Sequence, residues 1–155
     1  MLPGDPTLGL RRFLLAIIVV GLVGSLTELL LLGHYEDPYQ LVPLGLIGAA
    51  LTIIAVHLLT RSAATLRVLR LLMGLFILAG AAGVVLHFRG NLEFQLEMDP
   101  TQSAWTLFSK AIRAKAPPAL APGVMAQLGL LGLLYTHRHP ALDGRAASHP
   151  QRSTT

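Results

Sequence analysis

Glu28, a carboxylate set in a long apolar run, is the residue of this chain best placed to do chemistry. It lies within residues 13–33, a stretch otherwise broken only by glycines, Ser25 and Thr27. A charged side chain at the centre of a bilayer costs about 2.5–3.5 kcal/mol on insertion scales, and somewhat less toward the edge. Such a group titrates, lines a polar cavity or is held by a hydrogen bond. At helical spacing Glu28 shares a face with Gly21, Gly24 and Ser25, small residues that let another helix come close. The expectation is therefore that Glu28 points into a bundle. It is read either as a proton- or cation-binding site or as one end of a structural hydrogen bond to Gln127 or Thr52.

A second group of polar residues brackets two apolar runs. His34, Glu36 and Asp37 follow the first, and His87, Arg89, Asn91 and Glu93 follow the third. Imidazole and carboxylate suit zinc, copper or iron, so His34 and His87 are the candidate ligands of a metal or a b-type haem. No short fixed spacing such as His-x-x-x-His accompanies them, and charged residues collect at helix ends for solvation alone. The preferred reading is a polar network, with Arg89 pairing Glu36 or Glu93. No cofactor is called for. His57, near the end of the second run, is read as an interfacial histidine reaching for water. His137 and His139 flank Arg138 and join a basic collar. The pairs Gly45-x-x-x-Ala49, Ala79-x-x-x-Gly83 and Gly21-x-x-x-Ser25 predict close helix contacts.

Catalytic templates are missing. No Gly-x-Ser-x-Gly, phosphate-cradling loop, His-Glu-x-x-His or dinucleotide fingerprint occurs. The chain has no cysteine, which removes disulfide chemistry, thiolate metal sites and cysteine nucleophiles. Nothing positive supports an enzyme.

The elements that must position these residues follow from composition. Of 155 residues, 53% are hydrophobic and 13% charged, against about 25% charged in ordinary soluble domains. Mean hydropathy is +0.61. These values exclude a disordered tail, a disulfide-stapled module and a typical soluble enzyme, and they indicate a membrane protein. The net charge of +4 and pI of about 10.1 come from basic residues at the ends of apolar runs. That placement marks topology and argues against nucleic-acid binding. Arg outnumbers Lys ten to two and Ala, Gly and Leu abound, read as the coding bias of a GC-rich bacterial genome, so that the membrane expected is a bacterial inner one.

Four runs are expected as spans, at about 13–33, 41–60, 68–87 and 118–135, because roughly 20 helical residues cross a bilayer core and lipid offers the backbone no partner. The first run is too long for a secretory signal and is expected to stay as a helix. With the N-terminus inside, the inner segments hold Arg11, Arg12, Arg61, Arg67, Arg70, Arg138, Arg145 and Arg152 against Asp5 and Asp143. The outer segments hold Arg89, Lys110, Arg113 and Lys115 against Glu36, Asp37, Glu93, Glu97 and Asp99. This bias puts both termini in the cytoplasm. A short cytoplasmic N-terminus (1–12) and a flexible tail (137–155) flank the domain.

In the outer link, 88–117, residues 91–97 alternate polar and apolar, which predicts an extended segment. Asp99-Pro100-Thr101 is a turn signal. Trp105, Phe108 and Ile112 then recur at helical spacing, predicting a short amphipathic helix in the outer interface. Residues 28–44 and 87–97 resemble parts of small bacterial inner-membrane proteins. The four-span outline is similar to DoxX-like bundles in helix count alone, so no residue role carries over. The expected fold is an all-α four-helix transmembrane bundle. The expected function is a non-catalytic accessory, assembly or structural component of a membrane complex, with a membrane-protein partner or as a homo-oligomer. The rival is a small oligomeric transporter or channel using Glu28.

Overall fold

A computed structural model describes residues 6–142. The outermost N-terminal residues and the tail beyond 142, with Asp5, Asp143, Arg145 and Arg152, lie outside the described residues. Five α-helices follow in order: α1 (Pro6–Leu31), α2 (Leu41–Thr60), α3 (Ala63–Met98), α4 (Ala104–Ile112) and α5 (Gly123–Thr136), with a single 3₁₀ turn at Pro38–Gln40. No strand occurs among the described residues, only one isolated bridge between Lys115 and Pro118.

Three helices, α1, α2 and α3, are long and apolar enough to cross a membrane. The chain is thus an all-helical protein of membrane type. The α2–α3 connection takes two residues. Arg61 adopts a left-handed conformation (φ 49°) and gives its N–H to the His57 carbonyl at 2.7 Å. Ser62 then caps α3, accepting the Thr65 N–H at 3.2 Å. So short a link forces α2 and α3 antiparallel and adjacent.

A core of Ile18 and Leu22 (α1), Ile47, Ala50 and Ile54 (α2), Leu66, Leu69, Met73 and Phe76 (α3), and Met125 and Leu128 (α5) runs along the bundle. Its tightest contact is α3 against α5. A Cβ on Gly80 would sit 2.7 Å from the Ala126 backbone nitrogen, and one on Gly129 would sit 2.6 Å from the Met73 carbonyl oxygen. Backbone meets backbone there, which only glycine permits. Of the anticipated small-residue pairs, Gly83 meets Pro122 and Gly21 meets Leu128, whereas Gly45 faces open space.

Two expected elements take a different form, and one helix extends beyond its expected span. Residues 91–97 are not extended: α3 runs unbroken for 36 residues to Met98. The run has no partner strand, and continuing the helix satisfies its backbone groups. The more sheltered positions, Phe88, Asn91, Leu92 and Gln95, follow helical spacing. The last helix starts at Gly123 rather than at 118, because Pro117, Pro118 and Pro122 lack the N–H groups a helix interior needs. The first helix starts at Pro6, which carries Arg11 and Arg12 inside it. The short helix of the link forms over Ala104–Ile112, capped by Ser103 Oγ, which accepts the Thr106 N–H at 3.3 Å.

Candidate functional site

Glu28 does not point into the bundle. The buried stripe of α1 is Ile18 and Leu22, with Leu15, Val19, Leu26 and Leu29 packed around it, so position 28 falls on the outer face. Glu28 is exposed, as are Gly24 and Thr27. The small residues mislead here because Gly21 alone is used for approach, against Leu128, while nothing comes near Gly24. The hydrogen-bond partners considered are not available inward either. Thr52 gives its hydroxyl to the Gly48 carbonyl at 2.8 Å, and Gln127 is itself exposed on α5. Glu28 and Gln127, each within an apolar helix, thus both face outward.

At the end of the bundle beyond Leu31, His34 and His87 do meet. Their rings lie edge to face with centroids 6.5 Å apart. His87 Nδ1 lies 3.0 Å from the Pro118 carbonyl. A carbonyl only accepts, so Nδ1 carries the proton and Nε2 is the nitrogen left over. The His34 pKa lies below its ordinary 6.5, chiefly from burial and then from the His87 charge. The rest of the anticipated cluster separates. Arg89 pairs with Glu93 at 3.5 Å, one helical turn on, with both side chains well exposed. Asn91 is 3% exposed and donates from Nδ2 to the Ala111 carbonyl at 3.3 Å and the Pro117 carbonyl at 3.0 Å, tying α4 and the loop to α3. The backbone N–H groups of Glu36 and Asp37 both reach Gln40 Oε1, at 2.9 and 3.1 Å. No group of three or more His, Asp or Glu that could hold a metal occurs among the described residues.

At the opposite end the arginines do more than mark topology. Arg11 donates to the carbonyls of Tyr135 (2.8 Å), His137 (3.1 Å) and Arg138 (2.9 Å). Arg70 donates from Nη2 to the Thr136 carbonyl at 2.7 Å and from Nε to Thr136 Oγ1 at 3.4 Å. Two guanidinium groups therefore satisfy carbonyls at the α5 C-terminus, where a helix dipole favours positive charge. Their sequence signal was faint: each arginine lies far along the chain from the carbonyls it serves.

His57 is not an interfacial histidine reaching for water. It is 5% exposed and its Nδ1 lies 2.8 Å from Thr65 Oγ1. That hydroxyl also donates to the Ser62 carbonyl at 2.8 Å, so it accepts from His57, and the ring locks the α2–α3 turn. His139 folds back onto this ring, centroids 5.7 Å apart, and onto Tyr135 at 5.5 Å. Burial first, then the Arg11 and His57 charges, hold the His139 pKa below 6.5.

In chemical terms the described residues offer polar groups at both ends, an apolar middle, and the outward Glu28 and Gln127. No nucleophile–base pair is assembled by any of these contacts. No family model matches the chain, and neither a curated protein nor a solved structure does so.

Proposed function

We propose that the chain is a four-span protein of a bacterial inner membrane, both ends cytoplasmic, serving as a non-catalytic accessory or assembly component that binds a membrane-protein partner or further copies of itself. The observation that carries this reading is the direction of Glu28: a carboxylate facing out of the bundle near the end of an apolar helix. Lipid cannot solvate a carboxylate, so a polar protein surface is its natural cover. Gln127, also outward, adds a second group with the same need.

The fourth span is supported by levels along the bundle. The segment from Pro118 to Thr136 starts beside His87 and ends beside Arg70, so it covers the same depth as the α3 stretch between those residues. Seventeen residues of α3 rise about 26 Å, close to a bilayer core of about 30 Å. The helix α4 carries Trp105 and Phe108 exposed, their rings stacked with centroids 5.8 Å apart, which suits the headgroup layer.

A photo-crosslinking residue at position 28 in native membranes tests the reading. The expected product is one discrete protein adduct of fixed mass, absent when the crosslinker is moved to the buried Leu22. Adducts to lipid alone would overturn it. The outward carboxylate also favours a second reading, an oligomeric transporter or channel with Glu28 between copies. That reading takes over if the adduct is solely a second copy and Glu28→Gln abolishes proton or cation flux in proteoliposomes.

A further inference from the structure

A shallow groove of about 460 Å³ opens on the outer surface of α3, lined by Arg67, Arg70, Leu71, Gly74, Leu75 and Leu78. The spacing of these positions keeps them on one face of the helix. The two arginines stand at its end nearest the α2–α3 turn, and the four apolar residues continue from them along the span. Gly74 forms the notch, since nothing lies within 4 Å of where its Cβ would be. From Arg67 to Leu78 the groove runs about 16 Å.

The charges here are uncompensated. Arg67 has no hydrogen bond or ion pair among the described residues, and Arg70 commits two donors to Thr136 of the five a guanidinium carries. The described carboxylates, Glu28, Glu36, Asp37, Glu93, Glu97 and Asp99, all lie toward the opposite end of the bundle. An anion would therefore gain both guanidinium groups with no repelling carboxylate among the described residues, and an apolar chain attached to it would lie along Leu71, Gly74, Leu75 and Leu78. We propose that this groove is a binding site for an anionic phospholipid, with the phosphate held by Arg67 and Arg70 and one acyl chain seated over Gly74. The proposal rests on the membrane-type fold and not on the accessory role: it stands whether or not a protein covers Glu28.

The test uses the purified full-length protein in detergent, with retained lipid counted by native mass spectrometry. Phosphatidylglycerol and phosphatidylcholine of identical acyl chains are compared. Each arginine near a membrane surface is worth about a fivefold preference for anionic lipid. Wild type is therefore expected to prefer phosphatidylglycerol by about tenfold or more, and Arg67→Gln, which breaks no contact, to lose about fivefold. Gly74→Leu fills the notch without a clash and is expected to weaken retention of both lipids. Arg89→Gln, at the other end, is the control and leaves the preference intact. Equal retention of the two lipids, or an unchanged preference in Arg67→Gln, overturns the site. Displacement by inorganic phosphate at equal concentration overturns it too, since it would show a free-anion site with no role for the chain.

Discussion

The two ends of the bundle solve different problems with similar residues. At one end Arg11 and Arg70 turn inward onto carbonyls of α5, and among the described residues the basic surplus there faces no carboxylate. At the other, Arg89 takes Glu93 on its own helix, and the inter-element contacts come from an amide, Asn91, and an imidazole, His87. A charge aimed at a helix C-terminus holds two chain segments together, while an exposed ion pair within one helix holds nothing else. The arginine end is therefore the mechanical clasp, and the charge at the far end is mostly solvation.

Removing the clasp is expected to have the largest effect. Charge-assisted hydrogen bonds of this kind are worth about 1.5–3 kcal/mol each. Arg11→Ala and Arg70→Ala should each lower the thermal midpoint in detergent clearly, with the double variant the least stable. Hydrogen exchange should speed up in the last turn of α5 and stay unchanged around Asn91. Equal loosening at both ends would break the contrast.

Asn91→Ala comes next. It removes the amide that bridges the Ala111 and Pro117 carbonyls, a loss of about 1 kcal/mol for each hydrogen bond, felt locally. Limited proteolysis should find the link between Asp99 and Pro118 cut faster, while α5 keeps its protection. Unchanged cutting would mean that α4 is held by packing of Phe108 on Phe88 instead.

The two ends also differ in what a pH titration reads, because each holds a histidine whose pKa is depressed, His34 at one and His139 at the other. The unfolded chain takes up protons near pH 6.5 while the folded chain resists. Stability is therefore flat above 6.5, falls as pH drops below it, and levels off only below the folded pKa values. His34→Gln and His139→Gln should each flatten part of that fall. If neither does, the slope belongs to other groups. The smallest effect is expected for Arg89→Ala, within about 0.5 kcal/mol and reduced by salt, measured by thermal midpoint at low and high ionic strength.

The helical class and the positions of the apolar runs were legible because hydropathy and length act locally. What failed were inferences about direction. Gly21, Gly24 and Ser25 place Glu28 on a small-residue face, but only packing with α5 reveals that the buried stripe runs through Leu22 and Leu26. Alternation over residues 91–97 mimicked a strand, and no sequence rule announces that a partner strand is missing. His57 read as a surface residue because its partner, Thr65, lies across a turn whose tightness depends on Arg61 taking a left-handed conformation. The meeting of His34 and His87 was legible, since the ends of the first and third runs are expected at the same membrane face.

In the proposed topology the two ends lie on opposite sides of the membrane, the arginine end inward, with both α3 and the last helix crossing. A chain without cysteine allows single cysteines to report this directly with a membrane-impermeant maleimide. Ala104→Cys is expected to be labelled in intact cells, whereas Ala64→Cys and His137→Cys are expected to react only after lysis. Labelling of Ala64 or His137 from outside, or of Ala104 only after lysis, would contradict it.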